Sequence, residues 1–465
     1  MEWITNQQIF EQKDDQILYE KSHIRKNLSE WLCLEEEDFF WEIPSDMEWE
    51  NIIEYLQENM KNRKRVILAY SNPLGVHIWN RDGNFPKVLG KEIQKLFDQM
   101  GFTHIRVYYP YPNCDYPMKI YSDDYLPKKG ELRNNRMRNF EREIMLFRDE
   151  EELFDRIIEE EQFPIFSNSY LLVAEKEEMG EFPIFVQYAN DRAPEFQMKT
   201  EIWKKAKGYI VTKKPMTEKA KKHCEDIFRC YEKLEDVMAD TDFRMNQCQK
   251  FGDGLTFEFL EGKTLDEELK GLLQKGEKEQ AIAMIQRFVH SLLAMADRPF
   301  EMTKEFGEIF GTEMEFDCAL SMQVTDIDLI FRNIILDRNW NVIDYEWTFD
   351  FPIPVDFVIY RTFQSFLEKE SGEKAGFNPY EIYGISEKDR EVYKKMELHF
   401  QQYVSRNYHT LDEMYLEFGK PVNVVKELLE KKDREIIQLR EQIDQMEHTK
   451  IWRLYRKYRN WRERK

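Results

Sequence analysis

The sequence has no run of eighteen apolar residues, so no segment is predicted to span a membrane. Six charged side chains lie within its first twenty residues, and no signal peptide is expected there. The cysteines are scattered, without a C-x-x-C pair or zinc-ligand spacing, which is typical of reduced thiols in the cytosol. They are Cys33, Cys114, Cys224, Cys230, Cys248 and Cys318. These absences predict a cytoplasmic protein.

Glycine-rich phosphate loops are also missing. No G-x-G-x-x-G motif is present, and the segment FFWEIPSDMEW at 39–49 contains no glycine. Backbone N–H groups in glycine-rich turns commonly hold phosphates and nucleotide cofactors, because the missing side chain lets the ligand approach the backbone. A cradle of that kind is therefore not expected in this chain.

Positive charge is scarce outside the last residues. The chain of 465 residues has a net charge of −21, while residues 450–465 hold eight Lys or Arg and one Glu, about +7, which leaves about −28 on residues 1–449. This distribution disfavours nucleic-acid binding by the body of the protein. Hydrophobic content of 42% and aromatic content of 14% predict folded material, and the length allows two or three domains.

The first region, residues 1–180, has the pattern of an α/β domain. Strands are predicted at Arg65–Ser71, 105–111 and 170–175, and an amphipathic helix at 90–101 that ends at Gly101. A strand, a helix ending in glycine and a second strand form the repeating unit of a doubly wound sheet.

Three stretches of this region resemble the C-terminal half of class I methyltransferases: SNPLGVHIW (71–79), YYPYPNCDYPMKIYSDDYLP (108–127) and FPIFSNSYLLV (163–173). The resemblance implies a truncated Rossmann-like fold. Because the glycine-free segment at 39–49 stands where the cofactor turn belongs, S-adenosylmethionine binding is not expected, and methyltransferase activity is the weakest alternative. The tyrosines in this region predict either a packed loop or a sugar-stacking surface. They are Tyr108, Tyr109, Tyr111, Tyr116 and Tyr121.

Residues 181–415 begin with three short predicted strands, at 182–189, 196–203 and 209–213, followed by a helix at 217–238. Near the centre of the chain, Thr325 to Arg361 contain Asp328, Asn333 and Asp344, with a hairpin predicted between the last two through 337–339. A carboxylate that accepts a proton, and an amide and a carboxylate that hold Mg²⁺, are the groups that phosphoryl transfer requires.

The Asp-x4-Asn spacing and the Ile-Asp-Tyr-Glu-Trp run at 343–347 resemble the kinase-like fold of aminoglycoside and choline kinases. The resemblance implies ATP and Mg²⁺ as cofactors, Asp328 as the catalytic base, and Asn333 and Asp344 as metal ligands. Asp326 stands where that family usually has a histidine.

The same resemblance assigns the nucleotide-binding residues. It implies that Lys213 holds the phosphates, with Lys214 as an alternative, and that Glu225 or Glu232 pairs with this lysine. The hinge would lie within 255–265, where Glu258 and Leu260 would meet the adenine. In place of a glycine-rich loop the chain has YANDRAPEF, and Arg192 could supply charge to the phosphates there.

The last fifty residues predict a rod with a basic tip. Apolar residues recur with a period of 3.5 over 422–446, which indicates a coiled coil and a homo-oligomer, or else a lone amphipathic helix on the body. Residues 450–465 combine Trp and Tyr with Lys and Arg, which favours either an anionic membrane surface or an acidic protein partner.

The predicted domains are therefore 1–180, 181–415, 416–449 and 450–465. Their order resembles the bifunctional kinase–methyltransferases that cap bacterial O-antigen chains. The resemblance implies an ATP- and Mg²⁺-dependent phosphotransferase that acts on a sugar or cell-surface polysaccharide at the cytosolic face of the membrane. The alternative is a non-catalytic scaffold with two degenerate enzyme folds that organises glycosyltransferases.

Overall fold

The computed structural model describes residues 38–80, 86, 88, 90–114, 117–134, 144–177, 181–189, 191–206, 208–314, 316, 319–368, 377–406 and 422–462. The strands of the first region are β1 (Phe39–Glu42), β2 (Arg65–Ser71), β3 (His104–Tyr111), β4 (Lys119–Ser122), β5 (Ile144–Leu146) and β6 (Ser169–Glu175). Its helices are α1 (Trp49–Met60), α2 (Val76–Trp79), α3 (Gly90–Gln99), α4 (Glu150–Glu159) and α5 (Phe163–Phe166). The three predicted strands and the helix before Gly101 are confirmed.

The first region forms a mixed sheet rather than a doubly wound one. Its strand order is β1-β2-β6-β3-β4. β1 and β2 are parallel, but β6 lies between β2 and β3 and is antiparallel to both. The predicted strand–helix–strand unit is therefore split by an inserted strand. Both faces of β2 are covered, since Leu68 packs in one apolar cluster and Ile67 in another.

The predicted tyrosine-rich segment is a packed one. Tyr108, Tyr109, Tyr111 and Tyr121 are all buried, with at most 5% of any side chain exposed. Tyr121 packs against Phe163 with ring centroids 5.7 Å apart. The sugar-stacking alternative is wrong for these four residues because their rings have no free face. Tyr116 lies outside the described residues.

The remaining strands are β7 (Pro183–Ala189), β8 (Met198–Lys205), β9 (Gly208–Pro215), β10 (Phe243–Met245), β11 (Cys248–Phe251), β12 (Gly254–Glu258), β13 (Lys263–Thr264), β14 (Arg298–Pro299), β15 (Leu320–Met322), β16 (Thr325–Asp326), β17 (Ile334–Leu336), β18 (Trp340–Val342), β19 (Thr348–Phe349), β20 (Ile353–Pro354) and β21 (Val422–Val424). The remaining helices are α6 (Lys221–Met238), α7 (Leu265–Gln274), α8 (Lys278–Met295), α9 (Lys304–Phe310), α10 (Val355–Glu368), α11 (Glu387–Ser405), α12 (Val425–Glu447) and α13 (Lys450–Arg462).

The second region has two parts. The first is an antiparallel sheet with the order β7-β8-β9-β12-β11, against which α6 packs. The apolar side chains of α6 that face the sheet, among them Cys224, Ile227 and Leu234, are buried. The second part is mainly helical and begins at α7, where Thr264 and Glu267 form a capping box. Such a box satisfies backbone N–H groups at a helix start.

The sheets of the two regions are continuous. β4 pairs with β7, with Ile120 opposite Val186, so ten strands form one sheet. Strand pairing at this junction holds the first region directly against the strands that carry the candidate site. The strands on both sides of the predicted boundary near residue 180 therefore belong to one sheet.

The C-terminal helices extend from a strand that returns to the first region. β21 pairs in parallel with β5, with Val422 opposite Ile144. Most apolar side chains of the predicted seam on α12 are more than half exposed, among them Leu439 and Ile443. Within the described residues, no helix combines the length and hydropathy needed to cross a bilayer. The coiled coil remains a prediction.

The cysteines that the structure describes are buried thiols, which agrees with the expected reduced state. They are Cys114, Cys224, Cys230 and Cys248. The other two cysteines in the sequence lie outside the described residues.

Candidate functional site

A cleft of about 960 Å³ lies between the antiparallel sheet and the helical part. Strand residues such as Thr200 and Val211 form one wall, while Ile335 and Ile343 lie on the opposite wall. The segment that links the two parts begins at the end of β12 and closes one end of the cleft. Glu258 and Leu260 line the cleft at this end. This is where the sequence predicted a hinge. The Glu258 carbonyl accepts a hydrogen bond from the Asn246 amide at 2.9 Å.

Asp328 and Asn333 belong to one loop that hydrogen bonds hold in place. The Asn333 side-chain amide donates to the backbone carbonyl of Asp328 at 2.9 Å. The Asp328 N–H donates to the Asp326 carboxylate at 2.9 Å. With its Nδ2 occupied in this way, Asn333 has its carbonyl oxygen Oδ1 as the remaining polar atom for a ligand.

Asp344 is brought next to this loop by the predicted hairpin, which is confirmed as β17 and β18. The N–H of Ile343 donates to the carbonyl of Asn333 at 2.8 Å. Asp344 itself has φ of +57°, in the left-handed region where Asp, Asn and Gly are best tolerated. Half of its side chain is exposed. The structure therefore places the predicted trio on two hydrogen-bonded segments.

Lys213 on β9 connects the sheet to this loop. Its ammonium group donates to the Asp344 carboxylate and, at 3.0 Å, to Glu346 Oε2. Burial alone would lower the pKa of Lys213, but the charges of Asp344 and Glu346 outweigh it and raise that pKa above its ordinary value. Lys213 is therefore a fixed cation beside Asp344. Lys214 instead pairs with Glu201 at 2.9 Å.

Glu346 is the buried anion at the centre of the site. It accepts from Lys213, from Arg192 and, at 3.2 Å, from His223 on α6. Burial opposes its ionisation, but Arg192 and Lys213 hold the pKa of Glu346 well below its usual range. Glu346 belongs to the Ile-Asp-Tyr-Glu-Trp run at 343–347, but the run alone assigns it no role.

The structure differs from one sequence-based assignment. Glu225 is exposed on α6, and the carboxylates that contact Lys213 are Asp344 and Glu346. On a helix, residue 225 points about 100° away from Cys224, which faces the core, so its side chain is turned to solvent. Glu232, the alternative, is also exposed.

Arg192, which could supply charge to phosphates, lines the cleft and pairs with Glu346. Its guanidinium carbon lies 5.4 Å from the centre of the Trp347 ring.

Asp328 is held by Arg361 from α10. The guanidinium donates to Asp328 Oδ1 at 2.9 Å and to the Ile327 carbonyl at 2.9 Å, and it also pairs with Glu397. Burial raises the pKa of the Asp328 carboxyl, and the charge of Arg361 opposes that rise. A base with a raised pKa is better matched to proton transfer near neutral pH.

Asp326 lies two residues before Asp328, where the resemblance of the motifs leads one to expect a histidine. Its side chain is 2% exposed, and within the described part of the chain its Oδ2 has no hydrogen-bond partner. Burial and the nearby Asp328 raise the pKa of Asp326 well above its ordinary value. The Asp326 carboxyl therefore keeps its proton to a higher pH than a solvent-exposed aspartate does.

The donor set at the trio fits Mg²⁺. No group of three or more His, Cys, Asp or Glu side chains arranged for a metal occurs among the described residues. Magnesium, however, needs only one or two protein oxygens together with water and substrate phosphates. The Asp344 carboxylate and the side-chain oxygen Oδ1 of Asn333 are donors of this kind. Lys213, beside Asp344, would contact the phosphates.

No protein-family model matches the chain, and no curated protein matches it. Among solved structures, it is similar to APH(2")-IIa in a ternary complex with streptomycin and ATP, at 13% identity and a TM-score of 0.30, over 46% of this chain and 82% of that one. It is also similar to ADP-bound aminoglycoside phosphotransferase APH(2'')-Ib, at 14% identity and a TM-score of 0.26, over 50% and 94% of the two chains. A third is the GDP complex of aminoglycoside 2'-phosphotransferase-IIIa, at 10% identity and a TM-score of 0.28, over 47% and 89%.

At these identities and TM-scores the likenesses assign no function to the chain.

Proposed function

We propose that this chain is a kinase-like phosphotransferase that binds ATP with Mg²⁺ and transfers a phosphoryl group to a hydroxyl. The observation that supports it is that Lys213 and Asp344 meet at one cleft closed by a hinge-like segment. The Asp328–Asn333 loop adjoins this point through the hydrogen bond from the Ile343 N–H to the Asn333 backbone carbonyl. Phosphoryl transfer depends mainly on positioning and electrostatic stabilisation, and these residues supply both.

Each residue has a distinct task in this proposal. Lys213 binds the phosphates, and Glu346 keeps its ammonium in place. Asn333 and Asp344 would hold Mg²⁺, which neutralises charge on the phosphates when bound. Asp328 accepts the proton of the attacking hydroxyl. Arg361 positions Asp328 through the hydrogen bond at 2.9 Å.

The acceptor in this proposal is a sugar or cell-surface polysaccharide at the cytosolic face of the membrane. Charge supports this location, because α13 carries Lys and Arg beside the exposed Tyr455, Tyr458 and Trp461. The exposed apolar seam of α12 supports association into a homo-oligomer. A glycosyltransferase is the partner that such an arrangement would serve.

A non-catalytic scaffold is the second candidate, and a specific observation favours it. The charged groups of the cleft pair with one another: Lys213 with Asp344, Arg192 with Glu346, and Arg361 with Asp328. A ligand must replace the first of these contacts, and that replacement lowers its net affinity. The absence of a glycine-rich loop in the sequence points the same way. Methyl transfer remains the weakest alternative.

A thermal-shift experiment separates these candidates. ATP with Mg²⁺ at about one hundred times its Kd should stabilise a phosphotransferase by about 2.7 kcal/mol. The Asp344→Asn variant should lose this shift, whereas Glu225→Gln should retain it. ADP release in the presence of sugar acceptors then tests turnover. If the wild-type protein is not stabilised by ATP or GTP with Mg²⁺, the phosphotransferase proposal is refuted and the scaffold remains. S-adenosylmethionine in the same assay tests the third candidate.

A further inference from the structure

The outer wall of the cleft comes from the N-terminal region. Residues 125–131, which we call the entrance segment, contribute Tyr125, Lys128 and Glu131 to the lining. They face the hinge-like residues 258–262 and α7 across the same space. A site built by residues 181–415 alone would be open on this side.

Strand pairing and aromatic contacts fix the first half of the entrance segment. It follows β4, which pairs with β7 in the continuous sheet. Ser122 and Tyr125 exchange backbone hydrogen bonds of 3.3 and 3.1 Å. The Tyr125 ring lies 4.7 Å from that of Phe185 and 6.5 Å from that of Phe259, between centroids. Tyr125 is thus packed against both the sheet and the hinge.

Hydrogen bonds fix the second half. The Gly130 N–H donates to Asp155 at 2.7 Å. Glu131 accepts from the Lys128 N–H at 3.0 Å and from the Tyr121 hydroxyl at 2.9 Å. The segment is therefore held in position before any ligand arrives, which reduces the entropy that binding would have to remove.

The charge at this end of the cleft differs from that at Lys213. Lys128 lies 3.5 Å from the Glu267 carboxylate, and Lys270 pairs with Asp266 at 3.1 Å. Acidic residues outnumber basic ones in the lining at this end, with Glu131, Glu261, Asp266 and Glu267 against Lys128, Lys129 and Lys270. This end therefore does not favour phosphate. A nucleotide whose phosphates bind at Lys213 would place its uncharged part here, among aromatic rings and polar groups that can bond hydroxyls.

We propose that the entrance segment binds the nucleoside part of the nucleotide, so that the N-terminal region completes the nucleotide site. The inference depends on the proposed phosphotransferase function. Tyr125 would contribute apolar contact to the nucleoside, and Lys128 and Glu131 would bond its hydroxyl groups. The N-terminal region then has a function that does not require methyl transfer.

Calorimetric titration of the full-length protein with MgATP and with adenosine tests this proposal. Because the Lys128 side chain is 65% exposed, this position should accept the substitution Lys128→Trp without loss of folding. The added ring would occupy the space proposed for the nucleoside. We expect binding of both ligands to weaken by at least about tenfold, or 1.4 kcal/mol. The matched control is Asp124→Trp, an exposed position in the preceding turn outside the lining, which should bind like the wild type.

Unchanged affinity in Lys128→Trp overturns this inference while leaving the phosphotransferase proposal intact. Absence of MgATP binding by the wild type instead refutes that proposal, and the inference with it. Hydrogen exchange on the wild type gives an answer that needs no variant. MgATP should slow amide exchange in residues 119–134 as well as in 255–274, and protection confined to the latter overturns the inference.

Discussion

Glu346 and Asp344 both contact Lys213, yet removal of their charges should affect the stability of the protein very differently. Glu346→Gln keeps the side-chain volume and removes a charge that is 7% exposed and faces Arg192, Lys213 and His223. Breaking a buried ion pair on one side costs about 3–5 kcal/mol, because the partner charge stays buried. Lys213 keeps Asp344 as a partner, so we expect the lower end, about 3 kcal/mol.

Asp344→Asn should leave stability nearly unchanged. The Asp344 side chain is half exposed, and Lys213 retains Glu346 when it is removed. Exposed ion pairs contribute about 0–1 kcal/mol. Asparagine also tolerates the left-handed backbone at φ of +57°, whereas alanine would add strain of about 1–2 kcal/mol. The asparagine variant should nevertheless lose the stabilisation by MgATP.

Melting temperatures at a fixed scan rate, with and without MgATP, measure both effects. A loss of about 3 kcal/mol corresponds to a decrease of roughly 6–12 °C for a unit of 150–250 residues. Glu225→Gln, exposed on α6, is the control and should change stability by less than about 0.5 kcal/mol. Equal destabilisation by Glu346→Gln and Asp344→Asn would refute the view that Glu346 is the buried centre of the site.

Three further predictions concern other parts of the molecule. Burial raises the pKa of Asp326 in the folded protein, so at a pH above the unfolded pKa this carboxyl lowers the stability of the folded state. Asp326→Asn removes the carboxyl and should therefore raise the melting temperature at pH 7. This gain in stability should shrink toward pH 4, because between the unfolded and folded pKa values of Asp326 it changes by about 1.4 kcal/mol per pH unit. A gain that does not change with pH would contradict this reasoning. Removing 449–465 should abolish flotation with anionic liposomes at low salt, and wild-type binding that is indifferent to salt would exclude an electrostatic tail. Replacing Leu439 and Ile443 by aspartate should reduce the sedimentation mass of an oligomer to that of a monomer, while the same change at Leu398, exposed on α11, should not.

Much of the local structure was predictable from residue patterns. β2, α3, α6 and the β17–β18 hairpin lie where periodicity and turn residues indicated. Short-range signals suffice for such elements, because hydrogen bonds within a helix or hairpin join residues close in sequence. The Asp328, Asn333 and Asp344 trio belongs to this group, since all three lie on one loop and the adjoining hairpin.

Other features were not predictable, since they depend on contacts between distant residues. Lys213 and Asp344 meet across 131 positions of sequence, and Arg192 reaches Glu346 across 154. The sequence around α6 predicted a helix but not that His223, rather than Glu225, would reach the site. That outcome follows from how α6 is rotated against the sheet, which packing alone decides.

The sequence by itself determined where the main strands and helices lie and which residue types the candidate site contains. Tertiary structure decided that ten strands from both regions form one sheet, that Glu346 lies at the centre of the charges, and that residues 125–131 wall the cleft. The physical reason is that local propensity acts over a few residues, whereas strand pairing and burial of charge select among partners far apart in the chain.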